Sequence, residues 1–103
     1  MWDMDAMCYG RIRNTPKMEQ TEKGIACVQL SVAVCQGPDR NDELYSIWVY
    51  VICFGALAHR MALDASKGQE VCCDGFLAHR KWKNRDGSKG HRLNLIARAI
   101  TLF

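Results

Sequence analysis

The chain has 103 residues, enough to bury one core and too few for two. Apolar residues make up 49% and charged residues 24%, a globular balance that excludes intrinsic disorder. The formal charge of +3 is unevenly placed: six Lys/Arg and one acid stand between His79 and Arg92, and the other residues carry 8 basic against 10 acidic side chains.

Asp5 to Arg13 alternates weakly and is expected to form a first strand, which Asn14-Thr15-Pro16 breaks. A polar stretch follows as far as Lys23-Gly24. From Ile25 to Val34 the alternation is clean, with Val28, Leu30, Val32 and Val34 on one face and Cys27, Gln29, Ser31 and Ala33 on the other. Gly37 to Asp42 is a loop of turn formers. Tyr45 to Phe54 is the strongest strand. Ile47, Val49, Val51 and Cys53 make a core wall, while Trp48, Tyr50, Ile52 and Phe54 share the opposite face at period two. At Leu57 the period changes to four, through Met61 to Ala65, which predicts a short amphipathic helix ended by Lys67-Gly68. Glu70 to His79 reads as a fourth strand with Val71, Cys73, Gly75 and Leu77 alternating, and Arg92 to Leu102 as a fifth. The whole chain, 1–103, is expected to be a single domain. An all-β chain of five strands with one short helix between strands 3 and 4 has the layout of a five-stranded Greek-key OB-fold barrel.

Between the last two strands lies Arg80-Lys81-Trp82-Lys83-Asn84-Arg85-Asp86-Gly87-Ser88-Lys89, a Trp among cations with a turn at Asp86-Gly87. An exposed Trp costs solubility, so one flanked by Arg and Lys suits a flat, negatively charged ligand. Unpaired polynucleotide fits, because bases stack on the indole while phosphates meet the cations. The competing reading is an ordinary solvated hairpin tip. In an OB barrel this stretch is the 4–5 loop, one of the places where such barrels hold oligonucleotides. The aromatic stripe of the third strand has its own bland reading, as core. The opposite face already supplies a core wall, however, so Trp48, Tyr50 and Phe54 are free to face nucleic acid or another subunit.

The six cysteines are Cys8, Cys27, Cys35, Cys53, Cys72 and Cys73. Most lie in apolar runs, and no C-x-x-C pair is present to nucleate a zinc or redox site. They are read as reduced thiols filling the core, with one or two exposed, and no structural disulfide is expected. Met1 to Cys8 holds two aspartates and no basic region, so no secretory leader is expected. No apolar run approaches a membrane span. The expectation is a reduced, cytoplasmic protein without membrane contact.

In order along the chain stand W-x5-F-G-x-L-A (Trp48 to Ala58), K-G (Lys67-Gly68), V-x3-G-x-L (Val71 to Leu77), R-K-W (Arg80 to Trp82) and D-G (Asp86-Gly87). This series, running from about Gly10 to the C-terminus, resembles the bacterial-type single-stranded DNA-binding protein family. The resemblance implies sequence-independent binding of single-stranded DNA in replication, recombination and repair. It implies that Trp48, Phe54 and Trp82 stack on bases and that Lys67, Arg80 and Lys81 lie along the strand path. Tyr50, Lys83 and Arg85 join them on the local argument alone. A homotetramer is the implied assembly, with a dimer as the alternative. Family members commonly continue into a flexible tail with an acidic tip that recruits replication enzymes. This chain stops at Ile100-Thr101-Leu102-Phe103, so recruitment through such a tail is not expected. Cys35-Gln36 stand where a further stacking aromatic is common, and Val49 is apolar where the family often has a polar dimer contact.

A rival in the same fold is a replication-restart accessory, similar to primosomal replication proteins and acting as a dimeric adaptor. Catalysis is not expected, and neither is a cofactor or a metal. Asp39, Asp42 and Glu43 sit in a turn-rich loop, and His59, His79 and His91 lack ligand spacing. No nucleophile, base and orienter can be assembled from the spacing.

Overall fold

Side chains that alternate with period two bury one face of each strand, and the barrel interior is built that way. The computed structural model describes residues 4–103. In chain order the elements are β1 (Asp5–Ile12), β2 (Glu19–Gln20), β3 (Ala26–Pro38), β4 (Leu44–Phe54), α1 (Ala56–Asp64), β5 (Glu70–Lys83) and β6 (Lys89–Leu102). Val28, Leu30 and Val32 of β3, Val51 and Cys53 of β4, Val71 and Cys73 of β5 and Leu95 of β6 are all buried. Ala58 and Met61, one turn apart on α1, join the same cluster. Fully burying a Val, Leu or Met side chain contributes roughly 1.5–3 kcal/mol.

The strands are hydrogen-bonded in the order β1-β5-β6-β4-β3-β2, and β1 pairs in addition with β3. The ladder of the five long strands therefore closes on itself. β4 and β6 run parallel through Tyr50–Ile52 and Asn94–Ile96, while the remaining pairs are antiparallel. This is the OB-fold arrangement, with the helix between the third and fourth long strands as expected. Where β1 leaves β5 and crosses to β3, Gly10 lies so close that a Cβ would come within 3.0 Å of the Ala33 carbonyl and of Val32 Cγ1. Only glycine fits that crossing. No helix among the described residues is long and apolar enough to cross a membrane.

Several boundaries differ from expectation. The polar stretch after Pro16 contributes a two-residue strand, β2, on the edge of β3. β3 runs on past Val34 to Pro38, with a bulge between Cys35 and Gly37 that absorbs two turn formers. The helix covers Ala56–Asp64 rather than Leu57–Ala65. The basic stretch is half strand: β5 continues to Lys83 and β6 starts at Lys89, with a short turn between them. Cross-strand pairing overrides the low strand propensity of Lys there.

Ile47 is the clearest correction. Assigned to the core wall, it is 46% exposed, and Val49 and Val34 are only partly buried. The cause is topological, because β6 contacts β4 only at Tyr50–Ile52. The first half of β4 pairs with β3 alone and projects as a two-stranded ribbon with no interior to bury into. Among the thiols, Cys53 and Cys73 are buried and Cys35 is exposed, and all the cysteines are free. The reading of a leaderless N-terminus falls partly on residues 1–3, outside the described residues.

Candidate nucleic-acid interface

The β5–β6 hairpin stands out from the barrel and carries the basic cluster. Its turn is tied by Asn84 N–H to the Ser88 carbonyl at 2.8 Å and by Gly87 N–H to the Asn84 carbonyl at 3.0 Å. Ser88 donates to Asp86 Oδ1 from its hydroxyl at 2.6 Å and from its amide at 2.9 Å. These bonds hold the exposed Asp86 carboxyl below the usual carboxylate range.

Trp82 pairs with Gly90 across the hairpin, and its indole lies flat over that glycine. A Cβ at position 90 would fall within 3.0 Å of indole Cε2, Cζ2 and Nε1. Nε1 donates to Asn84 Oδ1 at 3.2 Å, which steadies the ring while leaving it 40% exposed. The Arg80 guanidinium lies 6.0 Å from the ring centroid.

Paired residues share a face, so the register sorts the cations. Arg80, Trp82, Gly90 and Arg92 share one face of the hairpin, while His79, Lys81, Lys83, Lys89 and His91 share the other. An open depression of about 560 Å³ borders the second face and also reaches Trp82 and Gly90; beside it the His79 and His91 rings meet edge to face at 5.3 Å. The first face continues onto the barrel. Arg92 lies 4.2 Å above the ring of Tyr50 and donates from Nε to Asn94 Oδ1 at 3.0 Å. Asn94 is 3% exposed, covered on the barrel's outer side, and Tyr50 is its ladder partner. Two residues along β4 on the same face stands Trp48, 55% exposed.

Trp82, Arg80, Arg92, Tyr50 and Trp48 therefore form one outward track of rings and guanidiniums. The other candidates are dispersed. Phe54 is 40% exposed at the far end of β4. Lys67 is exposed in the turn after α1, where the Gly68 N–H donates to the Ile12 carbonyl at 2.6 Å, and it borders none of these surfaces. Lys81 and Lys83 lie on the reverse face of the hairpin, and Arg85 is exposed in its turn. Sequence reasoning missed Arg92, Asn94 and Gly90. Their signal exists only in the register, since the parallel β4–β6 pairing that brings Arg92 over Tyr50 leaves no local pattern.

A second groove, of about 480 Å³, opens beside Trp48 and reaches Tyr9, Arg11 and Arg13. Glu70 accepts a hydrogen bond from the Tyr9 hydroxyl and pairs with Arg11 at 2.9 Å. The Glu70 carboxylate holds the exposed Tyr9 phenol above its ordinary range. In the interior, the Cys73–Cys8 hydrogen bond and burial together push Cys73 far up, the same bond lowers Cys8 against the opposing effect of burial, and burial raises Cys53 to about 11. These core thiols take no part in the surface track. Among the described residues, no group of three or more His, Cys, Asp or Glu is placed to hold a metal ion.

A closed Greek-key barrel whose outer face carries rings with guanidiniums beside them belongs to the OB-fold class of small all-β proteins. Residues 4–103 match the model of the single-strand binding protein family, and the chain belongs to that family. The single-stranded DNA-binding protein of Borreliella burgdorferi (strain ATCC 35210 / DSM 4680 / CIP 102532 / B31) is 27% identical over 97 residues, covering 91% of this chain and 65% of that protein. That of Xanthomonas axonopodis pv. citri (strain 306) is 25% identical over 97 residues, covering 91% and 54%. Single-stranded DNA-binding protein 1 of Xylella fastidiosa (strain 9a5c) is 26% identical over 98 residues, covering 91% and 72%. The chain thus spans between 54% and 72% of the length of these curated relatives.

Proposed function

We propose that this chain, acting as a single domain, binds single-stranded DNA without regard to base sequence and protects it during replication, recombination and repair. The observation that carries the reading is the continuous outer track in which Arg80 and Arg92 stand between Trp82 at one end and Tyr50 and Trp48 at the other. Each ring stacks on a base, and each guanidinium meets a phosphate. Stacking contributes roughly 1–3 kcal/mol per base, and every base has a π-face, so binding needs no base-edge readout. Phe54, Lys67 and Arg85 take later positions on a longer path around the barrel, and Lys81 and Lys83 supply long-range attraction from the hairpin's reverse face. The reading is non-catalytic and cytoplasmic. Assembly as a homo-oligomer, with a tetramer favoured over a dimer, belongs to it as well, supported by the exposed apolar side chains Ile47, Leu93 and Met7.

The test is a titration with oligo-dT across salt concentrations, read by Trp emission. Stacked indoles are quenched, and log K falls with log salt with a slope of about −0.7 for each phosphate neutralised. Unchanged emission at saturation, or an affinity indifferent to salt, would refute the track.

A further inference from the structure

Resting on that reading, we infer that the groove between β1, β3 and β4 is a further single-stranded DNA subsite, in which Tyr9 is a stacking platform and Arg13 a phosphate contact. The ladder register shows why. Trp48 pairs with Ala33, Ala33 with Arg11, and Arg11 with Glu70, so one row crosses four strands with its side chains on the outer face. Adjacent strands lie about 4.8 Å apart, which places Trp48 and Arg11 roughly 10 Å apart across the small side chain of Ala33. Tyr9, two residues before Arg11 on β1, projects to the same side, and Arg13, just past the end of β1, lines the same groove.

The low floor is the important detail. Ala33 and Cys35, between the taller walls of Trp48 and Tyr9, leave a groove of about 480 Å³ whose lining combines rings with guanidiniums. Its charge balance favours an anion, with two guanidiniums against the single carboxylate of Glu70. Glu70 already engages both the Tyr9 hydroxyl and Arg11. It fixes those side chains side by side and leaves Arg13 as the cation available to a phosphate. Tyr9 is 55% exposed with its hydroxyl tethered, and the ring of Phe103 stands edge to face with it at 5.6 Å. Such a ring offers a face at little ordering cost.

The test compares Tyr9→Ala, Arg13→Ala, Arg13→Lys and Glu70→Gln with the wild-type chain and with Trp82→Ala, using oligo-dT lengths from about 4 to about 16 nucleotides. On the longer strands Tyr9→Ala is expected to weaken binding about 5- to 150-fold, the equivalent of one lost stack. Arg13→Ala should flatten the salt slope by about 0.7, and Arg13→Lys should restore it. Glu70→Gln, which removes the only carboxylate of the groove, should tighten binding. On the shortest strands, which the hairpin and Tyr50 can hold alone, Tyr9→Ala should have no effect. If Trp82→Ala weakens binding while the Tyr9 and Arg13 variants match wild type at every length, the groove is not a subsite and the outer track stands without it. If the wild-type chain does not bind oligo-dT, the underlying reading fails and the subsite with it.

Discussion

Gly90→Ala separates the seat of Trp82 from the stability of the fold. The added methyl would lie within 3.0 Å of three indole atoms, far inside an ordinary contact. The indole is the end of a flexible side chain, so it swings away and loses its bond to Asn84 Oδ1. That bond is exposed and contributes at most about 0.5–1.5 kcal/mol. Replacing a strand glycine by alanine returns roughly 0.5–1 kcal/mol of chain entropy. Thermal unfolding should therefore shift little in either direction. Binding should not be spared, because a displaced ring forfeits a stack of roughly 1–3 kcal/mol. Oligo-dT titration of Gly90→Ala, Trp82→Ala and the double variant decides the matter. The double variant should bind no worse than Trp82→Ala alone, since both changes remove one interaction. Additive losses, or wild-type affinity for Gly90→Ala with its indole emission still quenched by DNA, would show that the flat seat is irrelevant to binding.

Arg92→Ala should destabilise the fold as well as weaken binding, because it strips the partner from a nearly buried Asn94 oxygen at a cost of about 1–3 kcal/mol; chemical denaturation measures the first effect and oligo-dT affinity the second. Thiol reagents on the native chain should modify Cys35 before Cys53 or Cys73, which are buried and held protonated; equal rates by mass spectrometry would contradict their placement in the core. The Asp86 carboxyl is held low by Ser88, so its support of the turn is complete above the unfolded value of about 3.9 and is lost as pH falls through the lower folded value. Amide exchange at Ser88, corrected for intrinsic rates, should accelerate only under that acidification, and protection that declines between neutral pH and 5 would point to a different group.

Period-two alternation in Ile25–Val34 and Tyr45–Phe54, the shift to period four at Leu57 and the cations around Trp82 are local signals, and from them the five long strands, the helix and the basic hairpin were legible, while the two-residue β2 left no such signal. The stripe of Trp48, Tyr50 and Phe54 was also legible, because parity along one strand depends on the backbone pleat alone. Tertiary structure decided everything that depends on which strands become neighbours. It put Arg92 over Tyr50 through a parallel pairing with no short-range trace, and it left Ile47 bare because β6 reaches only the second half of β4. It also sent Lys81 and Lys83 to the reverse face from Trp82 and aligned Arg11 with Trp48 across β3. The physical reason is the same in each case. A residue's neighbours along the chain set which way it points, but what it meets there depends on a register established by strands distant in sequence.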